Sequence, residues 1–515
     1  MKNCDIVTNV NCKAMIFPCA MHRLYYYPCN SNSITVLKNH DNFWRKKGMK
    51  KRILTTLLAS AMILSIAGCD NKPAETTTTT KAPDAAADTT VAADTEAPDT
   101  EAPATDADAA DEGATLSILT WNGNSDTTKM VEFFLKTKGY DESKVTIVGV
   151  GDNGEGARDG YKQYLMGDGD ADLMIFDADW VTEYINDDSL TAPYSTIGLA
   201  KTDFPDSFAY TLAYGTTASG EFKANSFQAC PGGFVYRADL AEQYLGVKSP
   251  EEMQELVKDW DTFQETGAKL YEASGGKTSL QSTEGGLWQV FQSNRTQAWV
   301  VDGKLVMDNA ADFYDIAKNM KDNHSLGMFP QWDNAWYASV LDGSALGDFV
   351  PTWGLTTNEG SILYNFTEGK EENGANMAIC EGPTGWFWGG SYMGVSTKCD
   401  NPTLAKEFIE FYCKNADTMK AYAQETGDFM NSQVVMSDLT ASNVLLNDQN
   451  HYEVLSKVLG KLDLEGKITA YDSIIKGKFN DSVNGYLDGT YATKDDAINA
   501  FKDAVAAAYP DLIIE

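Results

Sequence analysis

The chain has 515 residues, of which 41 are basic and 74 acidic, giving a net charge of −33. A field of that sign repels phosphate backbones and anionic headgroups, so nucleic-acid binding and charge-driven attachment to a lipid surface are both disfavoured. With four His in the whole chain, only His324 and His451 lie beyond residue 68; a His-rich metal site is not expected, and neither is a cofactor.

The segment Met49–Cys69 has the parts of a secretory signal in order. Lys50, Lys51 and Arg52 precede an uncharged run to Ala67, shorter than the roughly 20 apolar residues a membrane-spanning helix needs. Ile66-Ala67-Gly68-Cys69 resembles the bacterial lipobox, in which the Cys thiol is lipidated and becomes the new N-terminus. Residues 1–48 would then precede the true start. Trp44-Arg45 can be encoded TGGAGG, a ribosome-binding core three codons before Met49, so the segment reads as a miscalled extension. Ten of the basic and two of the acidic residues fall before Cys69, which leaves a mature chain near −41. From Asp70 to about Ala114 the composition is Thr, Ala, Asp, Glu and Pro with almost no large apolar side chains. Such a segment cannot offset its ordering entropy and is expected to be a disordered, charge-extended tether.

The remaining 115–515 is too long for one core and suits two lobes. Strand-like runs alternate with amphipathic helices, which predicts an α/β architecture with largely parallel sheets. Leu116–Trp121 reads as a first strand, followed by a helix capped at Ser125-Asp126 with Met130, Phe133, Phe134 and Leu135 on its apolar side. Lys144–Val150 and Leu173–Phe176 are the next strands. Ser249-Pro250 opens a helix with a Glu three positions after the cap. Asn401-Pro402 opens another, whose Leu404, Ala405, Phe408, Ile409 and Tyr412 repeat at helical spacing. Thr493 caps the last. Cys230, Cys380, Cys399 and Cys413 lie far apart with no CxxC pair, and one or two disulfides are compatible with export.

The order LSILTW, helix, VTIVGV, helix, then DADLMIFDADWVTEYINDDSLTAPYS resembles the N-terminal lobe of extracellular solute-binding proteins of family 1, the maltose-binding-protein-like receptors of ABC sugar importers. The stretch from Gly382 to Gln433 (GPTGWFWGG through GDFMNSQ) is similar to that family's return segment. The resemblance implies a two-lobed periplasmic-binding-protein-like fold of type II, with a hinge and an inter-lobe ligand cleft. Lobe 1 would comprise about 115–227 and 392–430, and lobe 2 about 232–385 and 432–515. Crossovers are expected near 225–233, 385–394 and 427–432. The implied partners are a carbohydrate and the permease and ATPase subunits of the importer, with the receptor a lipid-anchored monomer outside the membrane, most simply of a Gram-positive cell.

Sugars present hydroxyls at the rim and C–H groups on the faces, so a sugar site needs flat aromatics and short polar side chains. The loops at strand C-terminal ends, where open α/β sheets place ligands, supply that mixture. The candidates are Trp121 and Asn122, then Asp152 and Glu155, then Asp179 and Trp180. Gln228 sits at the first crossover. Trp336, Trp353, Trp386 and Trp388 are the candidates of the second lobe, the last two flanking a Gly-rich turn in which alternation places both on one side. No charged clamp for an acidic or basic solute is evident. Gly149, Gly151 and Gly154 spell a dinucleotide fingerprint, and Asp168–Asp172 the start of a calcium loop, but the first follows the second strand and the second lacks its Gly and Glu. A secreted glycoside hydrolase, using two of Asp152, Glu155, Asp177 and Asp179, and a surface adhesin are the alternative readings.

Overall fold

The computed structural model describes residues 114–515 apart from Asn153 and the side chain of Glu155. The signal segment, Cys69 and most of the tether, on which the expectations about export, lipid and reach depend, lie outside the described residues. None of the helices among them is long and apolar enough to cross a membrane.

The larger of two main sheets is built from β1 (Leu116–Thr120), β2 (Val145–Gly149), β3 (Leu173–Asp177), β4 (Thr191–Ala192) and β5 (Ala224–Ser226), joined from far down the chain by β12 (Ser391–Ser396). Its order is β2-β1-β3-β12-β4, with β5 also on β12. β1 runs parallel to both neighbours, Leu116 facing Val145 and Ile118 facing Leu173. The strand β12 enters antiparallel, Ser391 facing Asp177 and Val395 facing Leu173. The smaller sheet contains β6 (Gly232–Arg237), β7 (Ser279–Gln281), β10 (Ala345–Pro351) and β11 (Met377–Cys380) in the order β11-β6-β10-β7, while β8 (Val300–Val301) and β9 (Lys304–Leu305) form a separate ribbon.

In the smaller sheet only β7 and β10 pair in parallel. The expectation of largely parallel sheets is corrected there, and in the larger sheet too, where β12 runs antiparallel to β3, β4 and β5. The chain enters the smaller sheet through β6 and leaves it through β11, and these two lie side by side in opposite directions.

Local signals act as their chemistry dictates, with one shift of register. The helix Ser125–Lys138 is capped by Asn124, whose Oδ1 accepts the N–H groups of Asp126 and Thr127 at 3.0 and 3.2 Å. Ser125 is therefore the first helical residue rather than the cap. In the helix Pro402–Cys413 the five apolar residues read from spacing are all buried. Thr493 and Asp496 close a reciprocal capping box at the start of Lys494–Ala508, and Ser249 Oγ accepts the Glu252 N–H at 3.3 Å. These caps satisfy donors that a helix start leaves without partners.

Two apolar cores result, one around the larger sheet and one face of the smaller, the other on the smaller sheet's opposite face. The chain passes from β5 to β6 through residues 227–231 and returns from β11 to β12 through 381–390. A third passage after the helix Ala416–Thr426 is tied to the first: Ala229 donates to Phe429 O at 2.9 Å, and Asn431 donates to Phe227 O at 2.9 Å. Cys230, Cys380, Cys399 and Cys413 are free thiols, the first two and the last buried.

The fingerprint-like glycines have a backbone explanation. Gly151 has φ +63, and a Cβ on it would stand 2.1 Å from Gly156 O, so this turn accepts only glycine. Asp172, at the distance of a ribose contact, instead takes the N–H groups of Ser117, Asp400 and Asn401 at 2.8 to 3.1 Å.

Candidate functional site

The loops after β1, β2 and β3 emerge at one edge of the larger sheet, because these strands run parallel. Trp121 is half-buried there, while Asn122, Asp152 and Asp179 are exposed. Asn122 donates its N–H to Gly151 O at 2.8 Å, which joins the first two loops. Asp179 donates its N–H to Asp177 Oδ1 at 2.9 Å. Burial, and then the Asp179 carboxylate, push the Asp177 carboxyl up to about 7.

Trp180 does not join this exposed group. Phe176, Tyr161 and Tyr184 surround its ring at centroid distances of 5.6, 5.2 and 5.5 Å, and the residue is buried. It supports Trp121, which meets it edge-on at 6.4 Å. Gln228 is also buried, and its Nε2 donates to Asp428 Oδ2 at 2.7 Å, linking the first and third passages. Burial raises the Asp428 carboxyl to about 7, with Asp126 adding to the effect and Gln228 opposing it.

On the smaller lobe the four candidate tryptophans divide. Trp336 is wholly buried and its Nε1 donates to Asp348 Oδ2 at 2.6 Å. Asp348 also accepts from Gln281 and Ser282, and burial lifts its carboxyl to about 6 against those bonds. Trp386 is wholly buried too, seated over Gly232, where a Cβ would lie 2.3 Å from its ring. The alternation argument that placed Trp386 beside Trp388 is therefore corrected. Trp386 fills the smaller lobe's core against Phe349, and Trp388 reaches the recess between the lobes.

Trp353 and Trp388 remain partly exposed, 5.2 Å apart and edge-on, with Trp353 Nε1 donating to Trp388 O at 2.9 Å. A third ring completes the platform. Trp332 stacks on Trp353 at 6.1 Å with the planes 18° apart, and it is 50% exposed. Its backbone is left-handed, φ +74, a conformation that costs a bulky residue energy and recurs at ligand-contact sites. Trp332 precedes the helix Asn334–Leu341 and so lies off any apolar helical face; that loop position, rather than periodicity, was its signal in the sequence.

Two recesses are lined by residues of this platform. One of about 330 Å³ is lined by Trp332, Trp353, Asp126, Lys129, Glu359 and Asp428. The other has Asp179 and Tyr214 from the larger lobe, Trp388 from the crossover, and Gln289, Asp472 and Lys476 from the smaller lobe. Its free volume is about 20 Å³, on the order of a single water.

Lys476 is the charged residue the sequence reading missed, since a lone Lys on a mixed helix carries no motif. Its Nζ donates to Tyr214 Oη at 3.2 Å. Burial favours the neutral amine, but Tyr214, Asp472 and Asp179 together hold it above the ordinary range. The cation is thus compensated within the protein. Among the described residues no group of three or more His, Cys, Asp or Glu could hold a metal ion.

Residues 78–442 match the model of a family described as bacterial extracellular solute-binding protein. No curated protein matches the sequence. Among solved structures, an extracellular solute-binding protein of family 1 is similar over 76% of this chain and all of its own, with 17% identity and a TM-score of 0.65. A binding protein associated with an ABC transporter of Bifidobacterium animalis subsp. lactis, in complex with β-1,6-galactobiose, is similar over 78% of this chain and 99% of its own, at 16% identity and TM-score 0.59. The galacto-N-biose/lacto-N-biose I-binding protein of the ABC transporter of Bifidobacterium longum, in complex with lacto-N-biose, covers the same shares at 15% identity and TM-score 0.59. At such identities the likeness is one of fold, and the fold is the two-lobed one of periplasmic binding proteins.

Proposed function

Because the chain belongs to the family of bacterial extracellular solute-binding proteins, we propose that it captures a carbohydrate, an oligosaccharide, between its lobes and delivers it to an ABC importer. The platform of Trp332, Trp353 and Trp388 at the cleft carries this reading. Three flat apolar faces on a wall with exposed edges suit the C–H faces of pyranose rings, and a compact charged solute gains little from them. Trp121, Asn122, Asp152, Glu155 and Asp179 would meet the ligand from the opposite wall, while Trp180, Trp336, Trp386 and Gln228 hold the contact residues in place. Two structural neighbours are complexes with disaccharides, which supports the substrate class.

The remainder of the reading follows from the sequence before the folded part. A lipid on Cys69 would anchor a monomer outside the membrane, with the acidic segment as a tether to the permease and its ATPases. The family and the structural neighbours are binding proteins, and catalysis is not part of the proposal. Incubation with β-1,6-galactobiose, lacto-N-biose and maltose should raise the melting temperature with at least one glycan and leave every glycan intact by chromatography. Appearance of hydrolysis products would replace the receptor by a hydrolase.

A further inference from the structure

The smaller lobe's wall continues beyond the residues already assigned to the cleft. Helices Glu284–Gln292 and Asp472–Asp488 pack together, with the rings of Trp288 and Phe479 stacked 5.1 Å apart. Gln289 and Lys476 line the recess beside Trp388. Residues four apart share a helix face, so Gly285 and Asn480 extend that wall by one turn. A further turn brings Asn484, whose amide donates to the Glu284 carboxyl. Gly285 leaves room for Gln331, since a Cβ there would lie 2.4 Å from Gln331 Oε1.

Three buried atoms in this patch lack a hydrogen-bond partner within the protein: Glu284 Oε1, Gln331 Nε2 and Asn480 Oδ1. They belong to three separate segments, and Glu284 is only 5% exposed. Each such atom is destabilising while it stays unpaired, and native structures contain few of them. Burial pushes the Glu284 carboxyl up to about 8, so near neutral pH Glu284 can give or take a hydrogen bond; with a donor on Gln331 and an acceptor on Asn480, the set is complementary to groups that do both. Hydroxyls do so, whereas an ammonium only donates and would leave Gln331 Nε2 unpaired.

We propose that Glu284, Gln331 and Asn480 form a polar subsite, one turn beyond Gln289 and Lys476, that binds a vicinal pair of ligand hydroxyls. One hydroxyl donates to Glu284 Oε1 and accepts from Gln331 Nε2, and its neighbour donates to Asn480 Oδ1. The subsite rests on the carbohydrate reading above and sharpens it to a ligand with two adjacent free hydroxyls at one end.

The test is calorimetric titration of the wild type and of Gln331→Ala, Asn480→Ala and Glu284→Gln with β-1,6-galactobiose, lacto-N-biose and maltose, alongside melting temperatures of the unliganded proteins. For the glycan bound most tightly by the wild type, the two Ala variants lose tenfold or more in affinity and melt no lower than the wild type, because each removes a group that was unpaired. Glu284→Gln keeps an acceptor oxygen and stays within about fivefold. Ala variants that bind within twofold of the wild type, or that lose affinity only together with melting temperature, overturn the subsite while leaving the carbohydrate reading standing. A wild type that binds none of the glycans defeats that reading, and the subsite with it.

Discussion

At the scale of single residues, exposure divides six tryptophans that look alike in sequence. Trp121, Trp180, Trp336, Trp353, Trp386 and Trp388 all sit near loops or glycines, yet Trp336 and Trp386 are completely buried and Trp180 nearly so. Composition and spacing locate aromatic clusters, but which ring faces the core depends on long-range partners such as Gly232 beneath Trp386 and Asp348 at Trp336 Nε1. These are 154 and 12 residues away in the chain and leave no local trace. Trp332 is the reverse case, exposed and stacked on Trp353 although no apolar period includes it. Trp332→Ala should therefore weaken glycan binding about tenfold or more, worth about 1.4 kcal/mol, and leave unfolding by urea unchanged. Trp386→Ala should cost about 3 to 5 kcal/mol of stability through the cavity it leaves. Unchanged affinity in Trp332→Ala, measured by calorimetry, would remove that ring from the site.

Among the elements, helices and their caps were the most legible. Thr493, Ser249 and the apolar face of Pro402–Cys413 follow from rules that act over a few residues. The passages between sheets were legible only as glycine-rich stretches, because what fixes them is pairing across the chain, such as Gln228 with Asp428. That pair carries a pH dependence. Burial raises the Asp428 carboxyl from 3.8 to about 7, so between pH 4 and 7 the unfolded chain has released this proton and the folded one retains it. Stability contributed at this position is full below pH 4 and falls as pH rises to 7, at no more than about 1.4 kcal/mol per pH unit. Asp428→Asn, with the Gln228 amide free to turn over, removes the titration. In urea unfolding at pH 5 and pH 7.5, the variant should gain on the wild type as pH rises. His451, whose pKa burial lowers to about 4, is common to both proteins and cancels in the difference. A difference that stays constant across this range would show that Asp428 titrates near its ordinary value.

For the molecule as a whole, the alternation of strands and helices disclosed an α/β chain, and the resemblance of its first and return segments disclosed two lobes. The antiparallel pairing of the smaller sheet was not legible, since strand direction follows from where the chain crosses between lobes rather than from any strand's own residues. The recess beside Trp388, about 20 Å³, is lined by residues of both lobes and so belongs to the folded whole. The central claim is that an oligosaccharide is captured between those lobes on the face of Trp332, Trp353 and Trp388. Isothermal calorimetry of the protein against β-1,6-galactobiose, lacto-N-biose and maltose, with a dipeptide and a polyamine as controls, tests it most directly. The account predicts saturable binding of one glycan per chain and no heat from the controls, whereas flat titrations with every glycan beside saturable binding of the dipeptide or the polyamine would contradict it.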